Sequence, residues 1–526
     1  MSDTERRLDA GRRLRRARHL LVVLGDQLDP SLPAQAGLDR ERDVILMMEA
    51  AAEAEHVPSH RQRTTLFLAA MRHFALDRIE RGDRVRYVRL DDPSNRGTLG
   101  AELRRALRAL RPEGVRVVQP GEHRVAADLA ATCDDAGVPL QVLPDRSFTC
   151  SLEAFDTWAE GRKNLVMEHF YRWRRRELGI LVAPGAKPVG GTWNHDRQNR
   201  ESFRDPPAIP SPYRPRPDPV TREVMDLVER TWPDAPGRME RFEWPVTRRE
   251  ARRALRDFID NRLHAFGAYE DAMWAGQPFL YHSLLSAPLN LKLLGPEECV
   301  EAALEAFAAR KLEIRNVEGF VRQLIGWREF IRGVYHREGP SYPSRNALEQ
   351  GGRLPGFYWS GDTRMRCLRH CVGEVLERGY GHHIPRLMVI GNFALIAGVD
   401  PGQVHRWFLS MYVDAVEWAT APNVIGMSQH ADGGIVGTKP YAGSGKYIRR
   451  MSNYCDKCPY DPDRRTGEGA CPFNTFYWEF LLRHEKRFAG NNRMALSLRN
   501  LARLSRGERR EIRQDADRLR REHGID

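Results

Sequence analysis

No stretch of this 526-residue chain approaches the roughly 20 consecutive apolar residues that a membrane helix needs, so no contact with a membrane is expected. The longest apolar run near the start, residues 20–24, is too short for a signal-peptide core, and a cytoplasmic location is expected. Acidic excess is missing as well: 83 Lys and Arg against 71 Asp and Glu leave a formal net charge of +12. That balance suits either a solvated surface or attraction to a polyanion, of which nucleic acid is the commonest large one. Internal repeats are absent, which argues against solenoids and propellers. Cysteine is scarce, with eight in all. Cys133, Cys150 and Cys299 stand alone, as buried packing residues do. The others are clustered, and clustered cysteines in a reducing compartment are more often metal ligands than disulfides.

What is present divides the chain. Residues 1–17 are Arg-rich and read as a helical or frayed extension without an assigned role. Over residues 18–145 short apolar runs alternate with helical stretches. The runs at 20–24 and 44–48 are apolar throughout, as strands buried on both faces are. Those at 85–90, 115–118 and 140–143 complete a series that predicts a doubly wound parallel sheet. Residues 146–246 read as an interdomain linker with helices, and the proline-rich stretch 204–219 within it excludes both helix and central strand. From 247 to 526 helical periodicity dominates, for example over 251–266, 317–335, 366–378 and 401–411. The fold class expected is α/β plus all-α: an N-terminal doubly wound parallel sheet, a long linker and a C-terminal all-helical domain.

Cys455 and Cys458 form a C-x-x-C pair, and Cys471 follows after twelve residues with Pro472 behind it. Such a turn aims two thiolates at one centre, a loop adds a third, and a distant helix supplies the fourth. Cys367 and Cys371 sit four apart on the helix expected at 366–378, so either fits as the fourth ligand. Four cysteines suit zinc as well as a 4Fe-4S cluster. A redox C-x-x-C would need a thioredoxin-like βαβ setting, which is not there.

Several segments resemble the photolyase/cryptochrome family. Trp327-Arg328-Glu329-Phe330 is similar to a signature of its flavin domain, and His282-Ser283-Leu284-Leu285-Ser286 to the segment that holds the flavin pyrophosphate. Gly381-His382-His383-Ile384-Pro385-Arg386 resembles the histidine-bearing helix of (6-4) photolyases. Leu24-Gly25-Asp26-Gln27-Leu28, Pro120-Gly121-Glu122-His123-Arg124-Val125 and the run from Asn423 to Gln429, with the four cysteines, resemble the iron–sulfur bacterial branch of prokaryotic (6-4) photolyases and cryptochromes. The resemblance covers nearly all of the chain from about residue 18. It implies a C-terminal FAD-binding catalytic domain carrying a 4Fe-4S cluster on Cys367, Cys455, Cys458 and Cys471. It further implies an antenna, 6,7-dimethyl-8-ribityllumazine, in the N-terminal domain.

The resemblance also implies roles. Ser283, Leu284, Leu285 and Ser286 would hold the flavin phosphates with their hydroxyls and backbone N–H groups, and Trp327 belongs to the same site. Asp414, balanced by Arg386, would accept a bond from the flavin, since a buried carboxylate needs such a partner. His383 is the expected catalytic proton donor, beside His382, because imidazole titrates near neutrality. Tyr441 and Met427 would wall the pocket for a flipped-out lesion. Trp407 and Trp359 would relay electrons from the surface. Gly25, Asp26 and Glu53 lie where parallel sheets bind ligands and are expected to hold the antenna. Arg172, Arg174, Arg175 and Arg176, with Lys446, Arg449 and Arg450, are expected to meet the DNA backbone. Three positions depart from the family: Leu387 where a second histidine stands in animal enzymes, Thr420 where many have an asparagine, and Phe408 where the branch often has tyrosine. The expectation is a monomeric (6-4) photolyase, a lyase acting on UV-damaged DNA. The alternatives are a bacterial cryptochrome photoreceptor, or an iron–sulfur nucleic-acid-binding protein without photochemistry.

Overall fold

The computed structural model describes residues 2–526. Five parallel strands, β1 (His19–Val22), β2 (Val44–Met48), β3 (Val85–Val88), β4 (Gly114–Val118) and β5 (Leu140–Leu143), lie in the order β3-β2-β1-β4-β5. The central pair is set by Leu20 opposite Val44 on one side and Val115 on the other. Alternate residues feed two cores, as a period of two requires. Leu21, Ile45, Met47 and Tyr87 point into the larger cluster, which runs on into the helical half. Leu20, Leu46, Val117 and Leu103 build the smaller cluster on the opposite face. With β2 buried at every position, the sheet is covered on both sides and is doubly wound.

The Arg-rich start is ordered. A short helix (Asp3–Asp9), closed by a capping box between Ser2 and Glu5, buries Leu8 and packs on β3 and the helix Arg61–Glu80. Residues 204–218 hold no helix or strand until Asp218 caps the helix Pro219–Thr231, whose first residue is a proline. That helix packs on Arg61–Glu80, so the connecting region wraps the sheet domain. A two-residue antiparallel pair, Val182–Ala183 with Lys187–Pro188, was not expected from the sequence.

From Arg248–Asn261 to Arg506–His523 the chain is helical, with only isolated bridges among the described residues. The expected helices at 366–378 and 401–411 are present with those bounds, as Arg366–Arg378 and Pro401–Met411. The stretch expected at 317–335 is one rod of three parts: an α-helix (Ile314–Val321), a π-helical turn (Arg322–Arg328) and a second α-helix (Glu329–Glu338). Two further π-helical stretches occur, Pro385–Gly391 and Pro422–Ser428, each opened by a proline that cannot donate to the regular ladder. π-Turns widen a helix locally and gather at functional sites. Trp327, Arg386 and Met427 each lie on one of the three.

Candidate functional site

Four distant segments converge in the helical half. Asn290, closing the short helix Ser286–Asn290, donates its side-chain amide to the Asp414 carbonyl at 2.8 Å. The Asp414 carboxylate takes both terminal nitrogens of Arg386 at 3.0 Å. Arg386 also lies 3.9 Å over the ring of Tyr412 and stands one turn from His382 and His383. Arg328 donates to the Leu289 carbonyl at 3.0 Å, its guanidinium lying against the rings of Phe148 and Trp418. Glu329 accepts from the backbone N–H groups of Thr149 and Cys150. The charged pair of the Trp-Arg-Glu-Phe segment is thus a brace, and Trp327 beside it is half-buried.

The serine-bearing segment is a tight turn. Leu284 holds φ +59°, a left-handed conformation that costs a leucine on the order of 1 kcal/mol. Ser283 Oγ accepts from the Leu285 N–H, Leu285 enters the core, and Ser286 opens the following helix. Buried Arg262 fixes the turn through the His282 carbonyl and Asp257.

Beside this turn the rings of His282 and His382 stack with centroids 4.1 Å apart. Burial pulls His282 down to about 3 and His382 well below its ordinary value, so both are neutral. His282 Nε2 and His382 Nδ1 are buried without a hydrogen-bond partner. His383 is exposed to solvent, yet burial and the Arg386 charge pull it down to about 4.

Tyr441 is half-buried, and its surroundings are the charges of Arg493, Asp196, Arg322 and Asp271. Nearby, burial lifts Glu270 to about 8 and Asp271 to about 6. Met427 is buried. Thr420 sits on the short helix Glu417–Ala421 that leads into the third π-turn.

Cys455, Cys458 and Cys471 all lie within electrostatic reach of Cys367. Burial, then the charges of Cys471, Cys371, Cys455 and Cys458, push the Cys367 thiol far above its ordinary value. Burial pushes Cys455 up to about 11 and Cys471 to about 12. Cys371 turns elsewhere, to the Tyr454 hydroxyl at 3.8 Å and the charge of Glu374. No group of three or more His, Cys, Asp or Glu side chains converges as around a single ion among the described residues. Cys367 and Cys471 are buried, and Cys455 and Cys458 half-buried.

At the carboxyl ends of β1, β2 and β4 lies a crevice of about 120 Å³ lined by Gly25, Asp26 and Glu53 among others. Burial raises Asp26 above its ordinary value and lifts Glu122 to about 7. Arg124 holds both Glu53 oxygens, at 2.9 and 2.7 Å, and reaches Glu122 at 2.8 Å. Gly121 has no room for a side chain: a Cβ would sit 2.8 Å from Trp418 and 3.0 Å from the Asp26 carboxylate.

Trp407 is fully buried and Trp359 is 40% exposed. Tyr358, next to Trp359 in the chain, lies 5.3 Å from Trp407 edge to face, and its carbonyl accepts from the Trp407 indole at 3.0 Å. Of the expected DNA-facing arginines, two must be reassigned. Arg174 and Arg175 are buried and donate to backbone carbonyls of Thr149, Ile180, Leu181 and Trp193, so they close loops. Arg172 pairs with Glu168, while Arg176, Arg449 and Arg450 remain exposed.

A parallel sheet with a polar crevice at its carboxyl end is joined to a helical domain in which two stacked histidines keep unpaired buried nitrogens, the α/β-plus-helical architecture of a two-domain protein. A family profile described as deoxyribodipyrimidine photo-lyase-related protein matches residues 21–244. A (6-4) photolyase of Agrobacterium fabrum (strain C58 / ATCC 33970) is 47% identical over 502 residues, 94% of this chain and 98% of that one. In fold, the crystal structure of a bacterial class III photolyase from Agrobacterium tumefaciens matches with a TM-score of 0.53 at 17% identity, over 83% of this chain and 87% of that one. The cryptochrome of Synechocystis sp. PCC6803 matches with a TM-score of 0.52 at 13% identity, over 83% and 89%. The chain belongs to the photolyase/cryptochrome family.

Membership implies FAD. The residues present fit it: two orphaned imidazole nitrogens need hydrogen-bonding partners, and the strained turn at Leu284 sets hydroxyls beside a helix start. His282 carries no role in the sequence reading. Its one signal was its place directly before the serine turn.

Proposed function

We propose that this protein is a light-driven (6-4) photolyase of UV-damaged DNA. The observation that carries the reading is the 47% identity over 94% of the chain to a (6-4) photolyase. Residues 18–145 form its antenna domain and residues 247–526 its catalytic domain, joined by 146–246, with 1–17 as an extension. FAD, when bound, supplies one electron on excitation and receives it back.

The chain's own residues do the rest. Ser283 and Ser286, with the backbone at Leu284 and Leu285, hold the phosphates. Asp414 and Arg386 fix the ring side as a neutral unit, and Trp327 borders it. His383 moves a proton at the lesion. Its imidazole is neutral at pH 7 in the protein alone, since burial holds it near 4. DNA phosphates and the negative charge arriving on the lesion raise that value and make it a donor. His382, locked in its stack on His282, positions the next residue, His383. Tyr441 and Met427 wall the lesion pocket. Trp407 and Trp359 carry electrons inward. Cys367, Cys455, Cys458 and Cys471 hold a 4Fe-4S cluster that ties the C-terminal segment to the catalytic helices. Gly25, Asp26 and Glu53 hold 6,7-dimethyl-8-ribityllumazine. The protein works as a cytoplasmic monomer.

The test is repair of a defined (6-4) oligonucleotide by the reduced protein under blue light, with a dark control. Light-dependent restoration of intact thymines is expected, with a loss of about 100-fold or more in His383→Ala. A cryptochrome photoreceptor is the second reading, favoured by Phe408 and Thr420. Retained flavin, retained DNA binding and no repair would move the assignment to it.

A further inference from the structure

The Arg-rich start of the chain covers the outer edge of the sheet. The helix Asp3–Asp9 and the turn Ala10–Arg13 pack on β3, the outermost strand on that side. Gly11 permits the close approach, since a Cβ there would overlap the Val85 carbonyl oxygen. Arg86, the next residue of β3, stands opposite Leu46 on the face of the smaller core and is only 9% exposed.

Arg86 makes no hydrogen bond and no ion pair among the described residues. Its Nη1 is sealed from solvent, while its Nε and Nη2, also without partners, are not. Those two nitrogens form the edge of a guanidinium that presents two parallel N–H groups to a carboxylate or a phosphate. Two other arginines of the same domain use that edge on a carboxylate. Arg72 sets Nε and Nη2 on Glu49 at 2.7 and 3.0 Å, and Arg18 sets them on Asp43 at 2.9 and 2.8 Å. No carboxylate of the described residues lies against the same edge of Arg86.

The charges that act on Arg86 are those of Arg105, Glu102, Arg15 and Arg12. The carboxylates that border these arginines are committed. Glu102 holds Arg105 at 2.8 Å and the Arg96 N–H at 2.6 Å. Asp92 and Asp9 hold Arg12 at 2.9 and 3.0 Å. Arg15 bonds only the Arg12 and Leu14 carbonyls, at 2.9 and 3.4 Å, and meets no carboxylate. The extension, β3 and the helix Leu99–Leu110 thus gather four guanidiniums, of which Arg86 and Arg15 are not neutralised by the protein. A shielded charge without a partner is unfavourable, and a bound anion removes that penalty.

The shielding selects the anion. A duplex phosphodiester carries a sugar on both sides and is too bulky to reach a guanidinium so nearly buried. A terminal phosphoryl group has three free acceptor oxygens and one point of attachment. We propose that the Nε–Nη2 edge of Arg86, flanked by Arg15, Arg12 and Arg105, binds the terminal phosphoryl group of a small oligophosphate anion.

The test is isothermal titration of the full-length holoprotein with inorganic pyrophosphate, at low salt in a phosphate-free buffer. Arg86→Met, which keeps the length and removes the N–H pair, should weaken binding at least about tenfold. Arg15→Ala, at an exposed position, should weaken it at least about threefold. Arg13→Ala, in the same segment but not among the charges that act on Arg86, should leave it unchanged. Thermal melts separate binding from folding. Without pyrophosphate, Arg86→Met should melt no lower than the parent, because it removes an unpaired shielded charge. Pyrophosphate should raise the midpoint of the parent and not that of the variant. Affinity for an undamaged duplex should be equal in the two. The proposal is overturned by absence of pyrophosphate binding, by equal binding in Arg86→Met or Arg15→Ala, or by an equal loss in Arg13→Ala. A lowered midpoint of Arg86→Met without pyrophosphate, or a loss of duplex affinity as large as that for pyrophosphate, overturns it as well. None of these readouts uses light or repair, so they stand apart from the test of the photolyase reading.

Discussion

Arg386 grips both carboxylate oxygens of Asp414 at 3.0 Å, and Asn290 holds the Asp414 carbonyl at 2.8 Å from the other side. One aspartate thus fastens the histidine-bearing segment to the helix that follows the serine turn. The pair is shielded, with Asp414 at 8% exposure and the Arg386 side chain at 22%. Its stacking over Tyr412 removes the guanidinium further from water.

Removal of one partner from such a pair leaves the other charge buried. Asp414→Ala is expected to destabilise the protein by about 3 kcal/mol, read as a lowered denaturation midpoint. It should also lower flavin content on purification, measured by absorbance against protein. Replacement of both partners, Asp414→Leu with Arg386→Met, should recover much of the stability and none of the flavin. A double variant as unstable as Asp414→Ala would show that packing, not the unpaired charge, is at fault.

The two candidate cysteines of the helix Arg366–Arg378 separate cleanly. Cys367 feels all the other clustered thiols, while Cys371 faces Tyr454 and Glu374. Cys367→Ser is expected to lose most of the iron counted by elemental analysis, and Cys371→Ser to keep it. Equal iron in both variants would assign the fourth ligand elsewhere.

The protein's stability is bounded on both sides of neutrality. Burial pulls His60, His383, His405 and His484 down to about 4, and His282 and His336 to about 3. Each titrates near 6.5 once unfolded, so below that pH the unfolded chain binds more protons and stability falls as pH falls. Raised carboxyls act in the opposite sense. Glu270, lifted from 4.5 to about 8 by burial, loses its proton on unfolding, and stability declines as pH rises from 4.5 to 8. Glu270→Gln should therefore give no gain at pH 4, a growing gain up to about pH 8 and a constant one above. Denaturant midpoints across that range check it, and an equal gain at pH 4 would contradict the assignment.

Much of this was legible in the sequence because it rests on local pattern. The continuous apolar run at 44–48 and the short run at 140–143 match strands with those bounds, and the periodicity at 366–378 matches a helix, which Gly379 ends in a left-handed conformation. Residues 317–335 read as one helix, since its π-turn leaves the apolar spacing nearly intact. Arg174 and Arg175 read as DNA contacts because a basic run looks the same whether its guanidiniums meet phosphates or backbone carbonyls. Only the fold, which brings Thr149, Leu181 and Trp193 alongside, tells them apart. The His282–His382 stack joins residues 100 positions apart, and no periodicity records such a pairing.

Phe408 sets the last expectation. It packs 5.3 Å from Trp407 and 5.3 Å from Tyr412, and it is the aromatic side chain hardest to oxidise in that group. Trp407 also meets Tyr412 directly, at 5.9 Å, and Tyr412 lies under Arg386. On the outer side, Tyr358 meets Trp407 edge to face, and the exposed Trp359 follows it in the chain. Trp407 thus has two oxidisable neighbours, Tyr358 and Tyr412, besides Phe408. Trp407→Phe, which removes the ring common to both sides, should slow flavin photoreduction at least about tenfold, a barrier increase of about 1.4 kcal/mol. Phe408→Tyr should change it by less than about threefold, since the side route is already open. The readout is the loss of oxidised flavin absorbance under blue light with an external thiol reductant. A large acceleration in Phe408→Tyr would mean that Phe408 is a true gap, and that Tyr412 does not bridge it.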